Sequence, residues 1–560
     1  MNDLVRDHLA WPPVQRRLMG MVFATPLYAS TLLYRRPAQL SAAPPDPWPG
    51  DAKRGAAMVQ GAYTFDGTTM RPEASPWDAS KPNQSWRNAL HEFRWLRDLR
   101  ALGGDEARRH ARKLTVDWLG RYQHWSMPSW RADIMGRRLA ALASHYELFF
   151  ASAPDPFRSE LLANMARQTR HLGRTARREV DGMARLAAIK GLLYAGLCIP
   201  GELPLLARAT KLLETELTRQ VRPDGGHVER SPAVQFLLLR DLIDMRAALS
   251  AGRQPILAPL TDTIERAASM LRFLRHGDGR LALFNDSGEG DRAGIDLALA
   301  QASVHGRTPK RVLDSGFERL SAGKLLAITD TGVPPGPGWN DHTHAGTLGL
   351  EVSFGKERLI VNCGPAAASG SEWRDAARAT AAHSTLAIED TNSTEIDANA
   401  GSERHVTRVH VEHQESDGSH WLSTSHNGYA KSFGLIHQRR LYMNADGSEL
   451  RGEDCLAGID HVGHGDVSGI PENHPFSIRF HIHPAARTSM AQNGAAVLLR
   501  LPGGSGWRLR AGGAKVNVAE SIYFGSGGAK RTQQIVLSGR TDSNGATVKW
   551  ALRREDSKKN

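Results

Sequence analysis

Cysteine is scarce in this chain, with three residues in 560 and no CxxC pair. Cys198, Cys363 and Cys455 argue against a disulfide framework, and so sparse an odd set fits a reducing compartment. Cys363, inside a strand-like run, reads as a small buried residue. A long apolar run is also missing. The nearest approach is LMGMVFATPLYASTLLY, residues 18–34, flanked by Arg16, Arg17, Arg35 and Arg36. Pro26 and several small polar residues interrupt it, and it falls short of the roughly 20 strongly apolar residues that span a bilayer. It has neither the position nor the cleavage site of a signal peptide. It reads as a docking helix rather than a membrane anchor, with a cytoplasmic location expected and the periplasm as the alternative. RNP-like, zinc-finger and other nucleic-acid motifs are absent too.

Positive charge is in excess, with a formal net charge of +12 and a sequence pI near 9.7. That balance favours an acidic partner: nucleic acid, anionic membrane, or an acidic polymer such as a uronic-acid glycan. The missing motifs argue against nucleic acid. Most of the basic residues, such as Arg108, Arg109, Arg112 and Lys113, fall in helical stretches and read as solvated faces. The length predicts two or three domains. A composition 41% hydrophobic and 23% charged is ordinary for a globular chain.

Three textures follow one another. Residues 1–85 read as an N-terminal helix and an extended wrapping segment, with short strands around AYTFDG. Residues 86–320 carry about seven amphipathic helical patterns joined by Gly, Pro or Asp turns, WRNALHEFRWLRDLRAL and VDGMARLAAIKGLLYAGLCI among them. They predict helical hairpins packed side by side. From 321 to 560 short alternating runs recur, TLGLEVSFG, RLIVNCG, HVTRVHVEH and FSIRFHIHP among them, and predict an antiparallel β-sandwich of a dozen or more strands. The last residues, EDSKKN, read as a polar tail.

The polar residues that packing does not require gather in a few loops. RPDGGHVERSP, residues 222–232, brings His227 and Glu229 just before a helix start, with Ser231 as expected cap and Pro232 in the first turn. HGDGRLALFNDSGEGD, residues 276–291, carries His276, Asn285, Asp286 and Glu289. NDHTHAGTLGLEVSFG places His342 and His344 at the mouth of a strand whose period of two predicts one buried face. His383 precedes another short apolar run. Imidazoles held at strand ends suit proton transfer or metal binding near neutral pH. Arg374, His426, Tyr429, His437 and Arg439 follow in the sandwich, and His481 and His483 read as strand-borne residues of a solvated face.

DGGHVERSP, NDHTHAGTLGLEVSFGKERLIVNCGP, WRDAARATAAHSTLAIED, SHNGYAKSFGLIHQRRLYMNADGSELRGED and IRFHIHP, in this order and spacing, resemble the heparinase II/III-like polysaccharide lyases over roughly residues 60–530. The resemblance implies an incomplete (α/α) toroid followed by an antiparallel β-sandwich, with an acidic polysaccharide or oligosaccharide in the cleft between them. It implies β-elimination: a base removes the C5 proton beside a uronate carboxylate, a cationic or hydrogen-bonding group neutralises that carboxylate, and an acid protonates the leaving oxygen. By motif position His227 is the expected neutraliser, His342 or His344 the expected base, and His383 the second sandwich histidine. Glu229, His276, Asn285, Asp286, Arg374, Tyr429 and Arg439 are the expected substrate-binding residues.

Two positions depart from the family pattern. LRFLRHGDG holds no Tyr where lyases of the family carry one, which leaves His276 or Tyr429 to supply the acid. Asn362 in VNCGP stands where metal-binding relatives place Asp, so no metal ligand is assigned, although a structural zinc or calcium remains an expectation of the resemblance. No other cofactor is expected. A glycan hydrolase using Glu229, Asp286 and Glu289 and a non-catalytic carbohydrate-binding or envelope-assembly protein are the rival readings. A homodimer is one expected state.

Overall fold

The computed structural model describes residues 10–33, 37–303, 306, 308–366, 371–396, 404–458 and 473–555. The chain divides into two compact units, one formed by Asn2–Val221 with Leu237–Glu265, the other by Arg222–Phe236 with Arg266–Asn560. The last five residues of the expected polar tail lie outside the described residues.

The first unit is helical. The apolar stretch from residue 18 forms parts of two short helices, Pro13–Phe23 and Pro26–Ser30, because Pro26 restarts the helix with Thr25 capping it. Phe23 is buried among Trp11, Tyr28, Trp125 and His171, so the segment docks as expected. Among the described residues no helix is long and apolar enough to cross a membrane. The AYTFDG segment makes a hairpin, Tyr63–Phe65 with Thr68–Met70. The pattern from Trp86 to Leu102 is two helices, Gln84–His91 and Trp95–Leu102, because Phe93 adopts a left-handed φ of 60° between them. Gly182–Cys198, expected to be amphipathic, is buried on all sides except at Arg185. It is a central helix, and close approach explains its glycines: a Cβ on Gly191 would stand 2.2 Å from the Cα of Gly136 on helix Ala132–Phe149.

The second unit is the sandwich, and both sheets are antiparallel. One sheet runs, strand by strand, Lys515–Tyr523, Lys530–Arg540, Pro475–Ile482, Glu357–Val361, Leu350–Phe354, Leu325–Asp330 and Phe317–Ala322, with Leu386–Ile388 also paired to Pro475–Ile482. The other runs Arg487–Ala491, Ala496–Arg500, Gly506–Gly512, Ala546–Glu555, Glu449–Gly458, Leu435–Met443, Ser419–His426 and Val409–Ser416. Their facing sides share one apolar core, with Leu350, Val352, Ile478 and Leu537 from the first sheet meeting Leu441, Leu450, Trp507 and Leu552 from the second. Helices followed by an antiparallel sandwich is the fold class that the sequence predicts.

Leu350–Phe354 departs from its expected one-sided pattern, since all five residues are buried. The polar side of the strand is covered by loop 276–291. Buried Glu351 accepts hydrogen bonds from the backbone N–H groups of Leu283 at 3.1 Å and Asn362 at 2.9 Å. A carboxyl side chain can be this deep only because its oxygens are so fully engaged.

Candidate acid–base centre

The DGGH turn, loop 276–291 and the loops holding His342, His344 and His383 all belong to the sandwich unit. Arg230 binds the first of these to the sandwich. Its guanidinium donates to the carbonyls of Ser315 at 2.9 Å and Gly316 at 2.8 Å, forms a buried ion pair with Asp330, and lies 4.8 Å from the Phe317 ring centroid. Arg230, Asn285 and Asp286 all have left-handed backbone, with φ of 56°, 47° and 63°. Non-glycine residues hold such angles when surrounding contacts enforce them. Here Asn285 donates to the Arg230 carbonyl at 3.0 Å and accepts the His344 backbone N–H at 3.2 Å. The strained turn thus joins the DGGH segment to the histidine loop through one amide side chain.

Around that clamp the ionisable groups converge. His342 Nδ1 lies 3.1 Å from Asp286 Oδ2, and its Nε2 lies 3.6 Å from Glu229 Oε2. His344 Nε2 is 3.8 Å from Asp286 Oδ1. His227 Nδ1 accepts the Glu229 backbone N–H at 3.2 Å, which places the proton of a neutral ring on Nε2. His227, Glu229, Asn285, Asp286, His342, His344 and His383 are all buried.

The tautomers of two histidines follow from their partners. His383 Nδ1 is 2.8 Å from the Ala379 carbonyl oxygen, which can only accept, so Nδ1 carries the proton. His383 Nε2 then has the lone pair and accepts a hydrogen bond from His344 Nδ1–H at 3.1 Å. His344 is left with its lone pair on Nε2, on the side of Asp286. Burial pushes both imidazoles below the ordinary histidine range, His383 furthest, and keeps them neutral at pH 7. Burial alone would raise the Asp286 carboxyl. The hydrogen bond from His342 Nδ1 outweighs it and holds Asp286 well below the carboxylate range. The arrangement is a carboxylate beside an oriented neutral imidazole, which can accept a proton and stabilise the resulting cation.

Several expected residues lie elsewhere. His276 is turned away, with Nε2 2.9 Å from Glu351 Oε2 and Nδ1 2.9 Å from Ser353 Oγ. Tyr429 is a core residue whose hydroxyl donates to the Leu386 carbonyl at 2.9 Å, and burial raises it above the ordinary tyrosine range. It cannot serve this cluster as acid. Arg439 is buried between Asp454 at 2.7 Å and the carbonyls of Leu348 and Ser384 at 2.7 and 2.9 Å. His437 shares Asp454 and contacts His426. Arg374 donates to the Asp341 carbonyl at 3.3 Å, holding the histidine loop from outside. Glu289 is bound by Tyr523 at 2.5 Å and Arg280 at 2.8 Å. His481, expected on a solvated face, is buried against the Ala381 carbonyl at 3.0 Å, whereas His483 lies 3.5 Å from Glu289. Ser231 does not cap its helix, for its buried Oγ has no hydrogen-bond partner among the described residues.

The sequence reading missed Arg230 and Arg378. The latter donates to the carbonyls of Thr343 at 2.9 Å and Asn340 at 3.2 Å. Both sit inside quoted motifs, and the four-residue step from Arg374 to Arg378 on one helix face was the available signal.

The donor set does not suit a metal. Asn362 Oδ1 accepts the Ser384 N–H at 3.0 Å, and its Nδ2 donates to the Leu283 carbonyl at 3.2 Å, so neither end is offered to an ion. No group of three or more His, Cys, Asp or Glu among the described residues could hold one.

Residues 73–304 match the family described as Heparinase II/III N-terminus, and residues 304–551 match Heparinase II/III-like, C-terminal. The chain belongs to the heparinase II/III-like family. A Caulobacter vibrioides protein named FtsZ-localized protein C is 34% identical over 98% of this chain and 96% of its own length. The crystal structure of Heparinase III superposes with a TM-score of 0.72 at 12% identity, over 97% of this chain and 91% of that one. A heparan sulfate lyase mutant from Pedobacter heparinus gives a TM-score of 0.66 at 15% identity, over 99% and 93%. At these identities the likeness establishes the heparinase fold.

Proposed function

We propose that this heparinase II/III-like protein cleaves an acidic, uronate-containing glycan by β-elimination at the Glu229–His342–Asp286–His344 cluster. The observation that carries the reading is the chain Ala379 carbonyl–His383–His344, which leaves a neutral imidazole with its Nε2 lone pair beside Asp286. His344 Nε2 takes the C5 proton, and Asp286 stabilises the imidazolium. The C5–H electrons form the C4–C5 double bond while the C4–O bond breaks. A proton from His342 Nε2, which stands 3.6 Å from Glu229 Oε2, passes to the departing oxygen. The Nε2–H of His227 is the donor for the uronate carboxylate, whose neutralisation makes C5–H acidic enough to lose. His383 is a positioning residue.

The hydrolytic alternative has less support. His342 stands between Glu229 and Asp286, so these carboxylates bracket an imidazole rather than a glycosidic bond. A second reading, glycan recognition without turnover in an envelope-associated role, is favoured by the full-length similarity to a protein named for its localisation with FtsZ.

The test is a panel of alginate, polygalacturonate and heparan sulfate oligosaccharides, followed by the ultraviolet absorbance of the unsaturated product. Absorbance should rise with one of them and vanish in His344→Ala. Silence across the panel, with intact oligosaccharide recovered from a stable complex, would instead establish the second reading.

A further inference from the structure

The second sheet of the sandwich presents an open outer face with a concavity of about 1000 Å³. Side chains alternate along its strands. Leu422, Leu441, Leu450 and Trp550 point into the core, so their neighbours point outward. Cross-strand register then lines up the outward residues. Trp421 is opposite Tyr442, Tyr442 opposite Arg451, Arg451 opposite Ala551, and Ala551 opposite Arg510. Trp421, 44% exposed, contacts Tyr442 with ring centroids 5.2 Å apart, and the Arg451 guanidinium lies 5.7 Å from the Tyr442 centroid. The row is an aromatic platform running into a guanidinium. A small residue then forms the floor between two arginines, which lie two strand spacings apart, about 10 Å, on the scale of one disaccharide.

The acids on this face are already engaged. Glu453 is held by Arg440 at 2.9 Å and Lys549 at 3.4 Å, Glu412 contacts His410 at 3.1 Å, and Glu415 contacts Lys310 at 3.3 Å. Arg451 is held in turn by Glu449 on its own strand at 2.7 Å, whereas Arg510 makes no ion pair among the described residues. The surface therefore offers flat apolar rings for a pyranose face and, at Arg510, one guanidinium not matched by an acid, in a chain that already carries +12.

We propose that this sheet face is a binding site for an acidic glycan chain, with Trp421 and Tyr442 stacking on sugar rings, Arg510 pairing with a carboxylate or sulfate, and Arg451 exchanging Glu449 for the next one along the chain. It is separate from the acid–base centre, which is built from loops of the other sheet and the helical connections. The site would hold a polymer independently of whether the protein cleaves it.

The test is titration of the full chain, in a His344→Ala background that prevents consumption of the ligand, with alginate-derived and heparin-derived oligosaccharides. Neutral dextran oligosaccharides and poly-glutamate are the controls. Trp421→Ala and the pair Arg451→Gln with Arg510→Gln should each weaken acidic-glycan binding by about tenfold or more. Dextran should not bind, and bound glycan should slow alkylation of Cys455, a part-exposed thiol on the same face and strand as Arg451 and Glu453. All these side chains are at the surface, so unchanged melting temperatures will show that the variants fold. Unaltered glycan affinity in both variants would overturn the proposal. So would preferential binding of poly-glutamate, or loss of self-association rather than of glycan binding in Trp421→Ala. With His344 intact, Trp421→Ala should still turn over short oligosaccharides. Glycan binding at the sheet with no turnover would defeat only the lyase reading, and turnover without sheet binding only this one.

Discussion

His344 and His383 are joined by a 3.1 Å hydrogen bond between Nδ1 of the first and Nε2 of the second, and that bond fixes which nitrogen of His344 can receive a proton. Its geometry depends on Gly346. A Cβ at that position would sit 2.6 Å from Cδ2 of the buried His383 ring. Gly346→Ala should therefore displace His383 and lower kcat by about 10- to 100-fold, the usual effect of losing an orienting partner. KM should change little, and the acidic limb of the rate profile should move. Steady-state kinetics across pH on wild type and variant will check this, and an unchanged profile would count against the orienting role.

Arg230 should matter most for stability. Burial raises the Asp330 carboxyl despite the opposing charge of Arg230, so removing the cation strands an acid in the core. Arg230→Met is expected to cost about 3–5 kcal/mol, the scale for breaking a buried ion pair from one side. Equilibrium urea unfolding measures it. A loss below about 1 kcal/mol, the scale of a surface ion pair, would mean that the clasp is dispensable.

Tyr429→Phe removes one hydrogen bond, to the Leu386 carbonyl. The expected result is about 1 kcal/mol of lost stability and unaltered turnover of any glycan that the wild type cleaves. Loss of turnover with retained stability would reinstate Tyr429 as the acid.

Acid sensitivity follows from the buried histidines. Burial lowers His91 and His171 from 6.5 to about 3, and His145 and His481 from 6.5 to about 4. The unfolded chain thus binds more protons than the folded one between those values and about 6.5. Their effect on stability is constant above the unfolded value, and stability falls as pH drops toward the folded ones. One unit below the unfolded value each group costs about 1.4 kcal/mol. Urea midpoints should fall steeply from pH 7.5 to 5.5, and His481→Gln should flatten the slope by about one proton. Equal midpoints at both pH values would contradict this.

The sequence was readable where a local pattern had one structural outcome. The DGGHVERSP and NDHTHAG motifs placed His227, Glu229, His342 and His344 in polar loops, and these loops meet. Periodicity separated helices from strands. It failed where burial came from distant parts of the chain. Glu351 looked solvent-facing because alternation cannot reveal the loop that covers it. Gly182–Cys198 looked amphipathic because Arg185 and Lys190 are polar, yet Lys190 is buried against Asp241 and Asp244 at 2.6 and 3.0 Å. Tyr429 looked available because its motif matched the family, whereas its orientation is set by the core around Leu386. Arg230 was passed over because an arginine beside a turn resembles a solvated one until its carbonyl partners, 85 and more residues away, are placed.

The central claim is that a neutral His344 takes a proton from a uronate and the glycosidic oxygen leaves without water. Mass spectrometry of the products from one defined uronate oligosaccharide tests it most directly. The account predicts two fragments whose masses sum to that of the parent, one bearing an unsaturated end, and no fragments from His344→Ala. Fragments that together carry one added water, or equal cleavage by His344→Ala, would contradict it.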